Sequence, residues 1–437
     1  MSNVTAAQPS LALGTFPVSD VVFGRQTRWN DGILEIDPDH LVSEIRRDPR
    51  IREAELHLLR PGERTRLVNV RDLIEPRHKI EGPGVVYPGT CGRPNLTVGH
   101  GRTHRLSGLA VVESADAVIY DGNDGWLDRW LDMYGPGAEA APTGGLLNLA
   151  LLLKVEPDIV AQERSEAAHR AALDLCDRLA RTTTGLTPPQ EQTFTLEPPA
   201  SELPKVVYIA CLRSPQHYSS SLYATWVAIY GMTRLTPPWL LHPNELLDGA
   251  IGGPASSHSG TTSWIMTNNP ITQDLYAGHG RDHQFLGVIT IRTRWTSQDE
   301  KDLTAYQAAK LARMLGADGA VITHDAGGND FMEVMQTVQA CERLGIKTVL
   351  VAPESAPEDG GLPLLMSLPE ATAIVSTGSG RPSAEPLAVP PPDRVLGGDD
   401  LFATQDRPWE RIPASSVMSS TRWRDHYGTG TISCFEY

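Results

Sequence analysis

The hydrophobic pattern divides the chain into two halves of different rhythm. In the first half, apolar positions come in short bursts at 21–23, 33–36, 56–59 and 67–70. These predict short strands, with a helix starting near Asp37 and running to Arg47. Residues 82–120 are rich in Gly, Val and Thr and contain an apolar run over 108–112, short enough for a buried strand. Residues 145–180 predict helices: a nearly all-apolar first part (Leu146, Leu147, Leu149, Leu151, Leu152, Leu153), then an amphipathic stretch over 159–180. Residues 132–139 read as a turn ending in the carboxylate of Glu139.

The second half is more regular. Strands are predicted over 206–211, 285–293, 319–323, 347–352 and 372–376, and helices over 219–230, 302–315 and 330–344. In the last helix Phe331, Val334, Met335, Val338 and Cys341 fall on one face. Asp330 with Glu333 reads as a capping box. Alternating strands and helices argue a parallel sheet with right-handed crossovers. The fold class is therefore α/β, an N-terminal mixed α/β region followed by a C-terminal parallel-sheet, Rossmann-like βαβ domain. The Thr- and Pro-rich residues 181–204 read as the linker between domains 1–180 and 205–390. Residues 391–437 read as an extended tail that packs on the body or on a partner.

One stretch breaks both rhythms. Residues 242–270 are too rich in Gly, Ser, Thr and Pro for a helix interior and lack strand alternation, yet they carry His242, Asn244, Glu245, Asp248, Ser256, Ser257 and His258. A loop of this composition between apolar segments is more often functional than idle. Two other places attract attention. Gly99 and Gly101 free backbone amides beside Arg102 and His104, which on spacing alone read as the polar decoration of a hairpin and otherwise as an anion contact. Asn329, within 324–330, lies between a strand end and a helix start, where open α/β sheets bind ligands. So does 377–380. Ordinary turn chemistry explains both equally well. No GxGxxG or GxxxxGK[ST] motif occurs, so a nucleotide is unsupported.

Composition narrows the classes. A formal charge of −15 argues against a nucleic-acid surface and an anionic membrane surface. No apolar run of about 18 residues occurs, so no membrane span is expected. Five scattered cysteines without metal spacing indicate a reducing, cytoplasmic compartment. The first 20 residues lack the pattern of a signal peptide. Thirteen histidines need no metal to explain them, and whether His100, His104, His242, His258, His279, His283 and His324 gather around one is left open.

Several ordered motifs resemble one family. They are Gly-Arg-Thr-His (101–104), Gly-Pro-Gly-Ala-Glu (135–139), His-Pro-Asn-Glu-Leu-Leu-Asp-Gly-Ala-Ile (242–251), Asn-Asn-Pro followed by Asp-Leu-Tyr-Ala-Gly-His-Gly (268–280), and Leu-Gly-Ala-Asp-Gly-Ala-Val-Ile (315–322). Over about 29–397 the chain is similar to the pyruvoyl-type proprotein subunit of component B of glycine, sarcosine and betaine reductases, and to the related D-proline reductase proprotein. The resemblance implies an oxidoreductase complex subunit that binds a small amino acid or N-substituted analogue. A thiol- or selenol-bearing partner subunit then cleaves the C–N bond reductively, with a thioredoxin-like reductant, in a hetero-oligomer. In that family the proprotein cuts itself at an Asn-Cys bond, and the new terminal residue becomes a pyruvoyl group that condenses with the amine.

This sequence departs from the pattern. No cysteine stands between Cys211 and Cys341, and the matching place holds Gly-Gly-Pro-Ala-Ser-Ser-His-Ser-Gly. Either Ser256 or Ser257 supplies the pyruvoyl, with His258 as base, or cleavage has been lost and the loop serves an intact site; loss is the favoured reading. His100 is a second departure, standing where the family usually has an acidic residue. The site residues implied are His242, Glu245, Ser256, Ser257 and His279 for catalysis, and Arg102, His104, Glu139, Asn244 and Asn329 for substrate, with Arg102 holding a carboxylate. Two other readings remain: a non-catalytic scaffold for the thiol-bearing partner, and a repurposed enzyme of secondary metabolism.

Overall fold

The computed structural model describes residues 9–115, 129–200, 202–213, 228–232, 237–253, 261–294, 296–325, 328–354, 366–378, 387–397, 411–412, 425–430 and 433–434. The chain is mixed α/β and is built on several sheets.

Two four-stranded sheets occupy the first half. One runs Gln190–Phe194, Leu11–Pro17, Gly101–Ser107, Arg77–Glu81, and the other Ile51–Leu59, Leu147–Val155, Leu109–Ala115, Val70–Ile74. The helix Ala161–Arg181 packs against both through Ala168, Ala172, Leu175 and Leu179. The apolar leucine run expected to open a helical region is instead the strand Leu147–Val155, parallel to 109–115 and antiparallel to 51–59. Leu149, Ala150 and Leu151 are all fully buried. A strand covered on both faces reads as a continuous apolar run, which periodicity cannot distinguish from a buried helix. Truncating Leu149 to Ala would cost about 2–5 kcal/mol.

The second half holds a seven-stranded sheet in the order Trp239–Leu241, Gln284–Thr293, Lys205–Arg213, Gly319–His324, Lys347–Ala352, Ile374–Ser376, Ser433–Cys434. The inner pairings are parallel and the two outer ones antiparallel. The helices Gln298–Met314 and Phe331–Arg343 pack on each other and against this sheet. The second helix stops where Gly345 takes φ +80°, a left-handed position that suits glycine. The expected capping box at Asp330 is absent. Asp330 makes no side-chain cap, and its carboxylate pairs with Arg213 Nε at 2.8 Å. Most of the helix expected over 219–230 lies outside the described residues; its end, Ala228–Ile229, is a short strand paired with Ile251–Gly252.

The stretch read as a linker contributes an edge strand, 190–194, to the first sheet. Two pieces of the C-terminal stretch are likewise paired. Arg394–Leu396 joins Thr65–Leu67, and Ser433–Cys434 joins the outer edge of the large sheet.

Candidate functional site at the neck of residues 254–260

The 242–248 motif is first a fastening. His242 caps the short helix Pro243–Leu247: its backbone N–H donates to Glu245 Oε1 at 2.6 Å, and its Nδ1 accepts from Asn244 N at 3.3 Å. Pro243 suits the first helical turn, where no donor is required. Glu245 Oε2 accepts from the Tyr230 hydroxyl at 2.5 Å. Burial raises the Glu245 carboxyl above its usual range, against the pull of these two bonds. Asn244 donates to the carbonyls of Gly99, Phe194 and Pro9 at 3.1–3.4 Å and accepts from the Tyr276 hydroxyl. Asp248, fully buried, pairs with Lys79 and accepts from Thr103 Oγ1 at 2.5 Å and Gly99 N at 2.8 Å. These bonds fix the chain entering 254–260.

The chain leaving that segment is fixed from the other half. Ser263 Oγ donates to Asp72 Oδ2 at 2.6 Å, Ser263 N donates to Asp72 Oδ1 at 2.9 Å, and Gly253 N donates to Ser263 Oγ at 3.0 Å. Residues 253 and 263 therefore meet, and the segment between them starts and ends at one neck. Behind Ser263 lies a buried polar array. Asp72 Oδ2 is 3.9 Å from His169 Nδ1, His169 Nδ1 is 2.7 Å from Glu113 Oε2, and Glu113 Oε1 is 2.9 Å from Arg71 Nε. Burial drives Asp72 up to about 7, tempered by His169 and by Ser263. Burial also works to raise Glu113, but His169 and Arg71 outweigh it and hold that carboxyl below its usual range.

The neck also approaches the carboxyl end of the parallel strands, the place where open α/β sheets bind ligands. Thr261 faces the hydroxyl of Tyr427. Tyr427 lies in the cluster that includes Tyr208, whose hydroxyl meets Thr323 Oγ1 at 2.7 Å and accepts from Asn269 Nδ2 at 3.4 Å. Asp325, at the end of the 319–324 strand, is raised by burial to about 6, and Arg292 is lowered by burial to about 10. His426 stacks edge-on to His324 at 5.3 Å. Tyr87, Cys91 and Tyr230 take φ of +57°, +48° and +52° around the same region. Such strain costs about 1–3 kcal/mol per residue and concentrates at functional sites.

The residues singled out from the sequence are distributed as follows. His242, Asn244 and Glu245 lie together on the capped helix 243–247, while His279 stands apart and holds the same neighbouring segment as Asn244, at Glu197 rather than Phe194. His279 uses both ring nitrogens: Nδ1 accepts from Phe285 N at 3.0 Å, and Nε2 donates to Glu197 O at 2.9 Å. Strand alternation turns Thr103 and Arg105 toward 248 and 268 and leaves Arg102 and His104 on the other face. Arg102 pairs there with Glu191 at 2.9 Å and Glu81 at 3.3 Å, and His104 meets Thr183 at 2.9 Å. Glu139 is exposed at the end of the helix Gly135–Glu139. Asn329 is exposed at the carboxyl end of the large sheet, opposite the end that bears His279. Ser256, Ser257 and His258 lie outside the described residues. Among the described residues no group of three or more His, Cys, Asp or Glu is arranged to hold a metal.

Asp72, Glu113, His169 and Ser263 went unnoticed in the sequence. One signal was present: Asp72 and Glu113 each interrupt an apolar strand (Val-Arg-Asp-Leu-Ile and Val-Val-Glu-Ser-Ala), where an unpaired carboxylate would be costly.

The family described as glycine/sarcosine/betaine reductase component B subunits matches residues 10–412. The chain belongs to this component B family. Three curated relatives come from Peptoclostridium acidaminophilum. The chain is 34% identical to the betaine reductase complex component B subunit alpha, over 90% of this chain and 89% of that one. It is 32% identical to the glycine reductase complex component B subunits alpha and beta, over 89% of each. It is 30% identical to the sarcosine reductase complex component B subunit alpha, over 90% of each. No solved structure matches the chain. Within this component B chain, the docked segment 425–430 lies beyond the span matched to the family. No helix among the described residues is long and apolar enough to cross a membrane.

Proposed function

We propose that this chain is the substrate-binding subunit of a glycine/sarcosine/betaine-reductase-like complex. It takes a small amino acid or N-substituted analogue and presents it to a thiol- or selenol-bearing partner subunit for reductive C–N cleavage. A thioredoxin-like protein supplies the electrons. The observation that carries this reading is the clamp on 254–260 from both ends in a chain matched to the family over 10–412. Segment 254–260 contains Ser256, Ser257 and His258.

His242 is the described side chain best suited to meet a substrate. Its Nδ1 accepts a backbone N–H, so Nε2 carries the proton, and that buried atom has no partner among the described residues. Burial, reinforced by His100, lowers its pKa to about 4, so it acts as a neutral donor at physiological pH. A carboxylate or a polarised carbonyl is its complement. Arg102 can join only if Glu81 and Glu191 release it. An unchanged KM in Arg102→Ala, measured with the partner present, would remove it from the site.

In this reading the chain works without a pyruvoyl group. When present, that group supplies an electron-poor carbonyl for the amine. The donor set fits it only through serine, because Cys211 and Cys341 are buried in the core of the parallel sheet and no cysteine lies between them in sequence. The deciding experiment is the intact mass under denaturing conditions, with and without borohydride. A single full-length species supports the intact site. Two fragments meeting near Ser256, one carrying a reducible carbonyl, would establish the pyruvoyl from Ser256 or Ser257 instead. A scaffold reading gains support from Glu245 and Asp248, whose carboxylates are engaged in internal bonds. It requires that Ser256→Ala, Ser257→Ala and His242→Gln leave the activity of the complex unchanged.

A further inference from the structure

We propose that the outer face of the helix Gln298–Met314 is a docking surface for a second copy of this chain, the two helices lying antiparallel across a two-fold axis. The pairing concerns assembly and does not depend on the substrate-binding reading.

The helix has two opposite faces. Lys301, Thr304, Ala305, Ala308, Ala309 and Ala312 are buried, on the side that packs against the large sheet and the helix Phe331–Arg343. On the other side Leu303, Tyr306, Lys310 and Met314 recur at i, i+3, i+7 and i+11, which at 3.6 residues per turn makes one stripe. Leu303 is 59% exposed, Tyr306 49% and Met314 74%. The outward face of a surface helix is ordinarily polar. Single exposed apolar side chains need no explanation, but an aligned row of them marks an association surface.

Charge selects the occupant. Asp299, Glu300 and Asp302 stand at the N-terminal end of the helix, Lys310 and Arg313 near the C-terminal end, and all five are exposed. A parallel pair of copies would set like charges side by side, whereas an antiparallel pair sets the acidic end of each against the basic end of the other. Asp302 and Arg313 are related by i and i+11, so they lie on the same flank of the stripe. A two-fold axis crossing at the level of residue 308 therefore brings Asp302 of each copy to Arg313 of the other. The same operation sets Lys310 over the ring of Tyr306, a cation–π pairing, and Leu303 against Met314. The surface is thus self-complementary, as an isologous contact requires. Among the described residues, no ion pair within the chain engages Asp302, Lys310 or Arg313. The other exposed apolar group, Val22, Phe23 and Ile33, differs in this respect: the charges beside it are already answered internally, Arg28 by Glu35 at 2.8 Å and Arg60 by Asp20 at 2.6 Å. A chain of net charge −15 repels its copies, so association needs such local complementarity.

The stripe is about 16 Å long. Counted over both copies, it fits the low end of specific interfaces, about 1,200 Å². Association on the order of micromolar follows.

Sedimentation velocity of the full-length protein, from about 1 to 200 μM, tests the pairing. The wild type should pass with concentration from the 47.5 kDa species to one of twice that mass. Leu303→Ser, Asp302→Arg and Arg313→Asp lie on the surface, and unchanged urea midpoints verify that each variant folds. Each should weaken association about tenfold or more. The double variant Asp302→Arg, Arg313→Asp exchanges the two charges and should recover most of the loss, because the pairs re-form with reversed sign. A wild type that stays monomeric throughout overturns the proposal. So does a dimer indifferent to Leu303→Ser and Asp302→Arg, which would place the contact on another face. Single variants that weaken the dimer without recovery in the double variant overturn the antiparallel register, and the proposal with it.

Discussion

The hydroxyl of Tyr230 donates to Glu245 Oε2 at 2.5 Å and accepts from Val98 N at 3.2 Å, while Tyr230 itself is held at φ +52°. One strained residue thus completes the helix cap of the 242–248 motif and satisfies a buried backbone donor. Tyr230→Phe leaves both groups short of a partner. The expected cost is about 1–3 kcal/mol, read as a lower urea midpoint with an unchanged slope.

Asp248 is the counter-charge of Lys79, and both side chains are nearly inaccessible to water. Asp248→Ala strands a buried ammonium and should destabilise by about 3–5 kcal/mol. The double change Lys79→Met, Asp248→Ala should cost less than the sum of the single changes, because each single change leaves an unpaired charge that the double change removes. A thermodynamic cycle from urea unfolding measures the difference.

His242 gives a pH dependence of known sign. Its folded pKa, about 4, lies below the ordinary 6.5, so between these values the unfolded chain binds the extra proton. Stability present above about pH 6.5 is lost as pH falls toward 4. Relative to His242→Gln, the wild type should lose stability across that window and run parallel to the variant above it.

Asp72 has the opposite sign. Its folded pKa of about 7 lies above the ordinary 3.8, so the folded chain binds the extra proton between them. The stability it contributes is complete below the lower value and is lost as pH rises through the upper one. The advantage of wild type over Asp72→Asn should therefore shrink from acid to neutral pH. Thermal melts at matched ionic strength measure it.

Much of this was legible in the sequence, for reasons that can be stated residue by residue. Helix 331–343 and strand 319–324 were visible because their apolar residues repeat at distinct periods. The leucine run at 147–155 misled because burial on both faces erases period. The 242–251 motif stood out by its composition, but its side chains are largely engaged in fastening: Glu245 closes a cap and Asp248 neutralises Lys79. Asp72 and Ser263 stand 191 residues apart, and no local pattern joins them. Arg102 and His104 read on spacing alone as polar decoration of a hairpin and otherwise as an anion contact; strand alternation puts them on the face away from 248.

The order of strands in the large sheet has a mechanical outcome. Segments 205–213 and 239–241 precede residues 254–260, whereas 284–293, 319–324 and 347–352 follow them, and the two sets interleave through parallel and antiparallel ladders. Ser263 is likewise tied to Asp72 of the first half. A backbone cut anywhere in 254–260 would therefore yield two polypeptides that remain one particle, inseparable by gel filtration until denaturant opens the sheet.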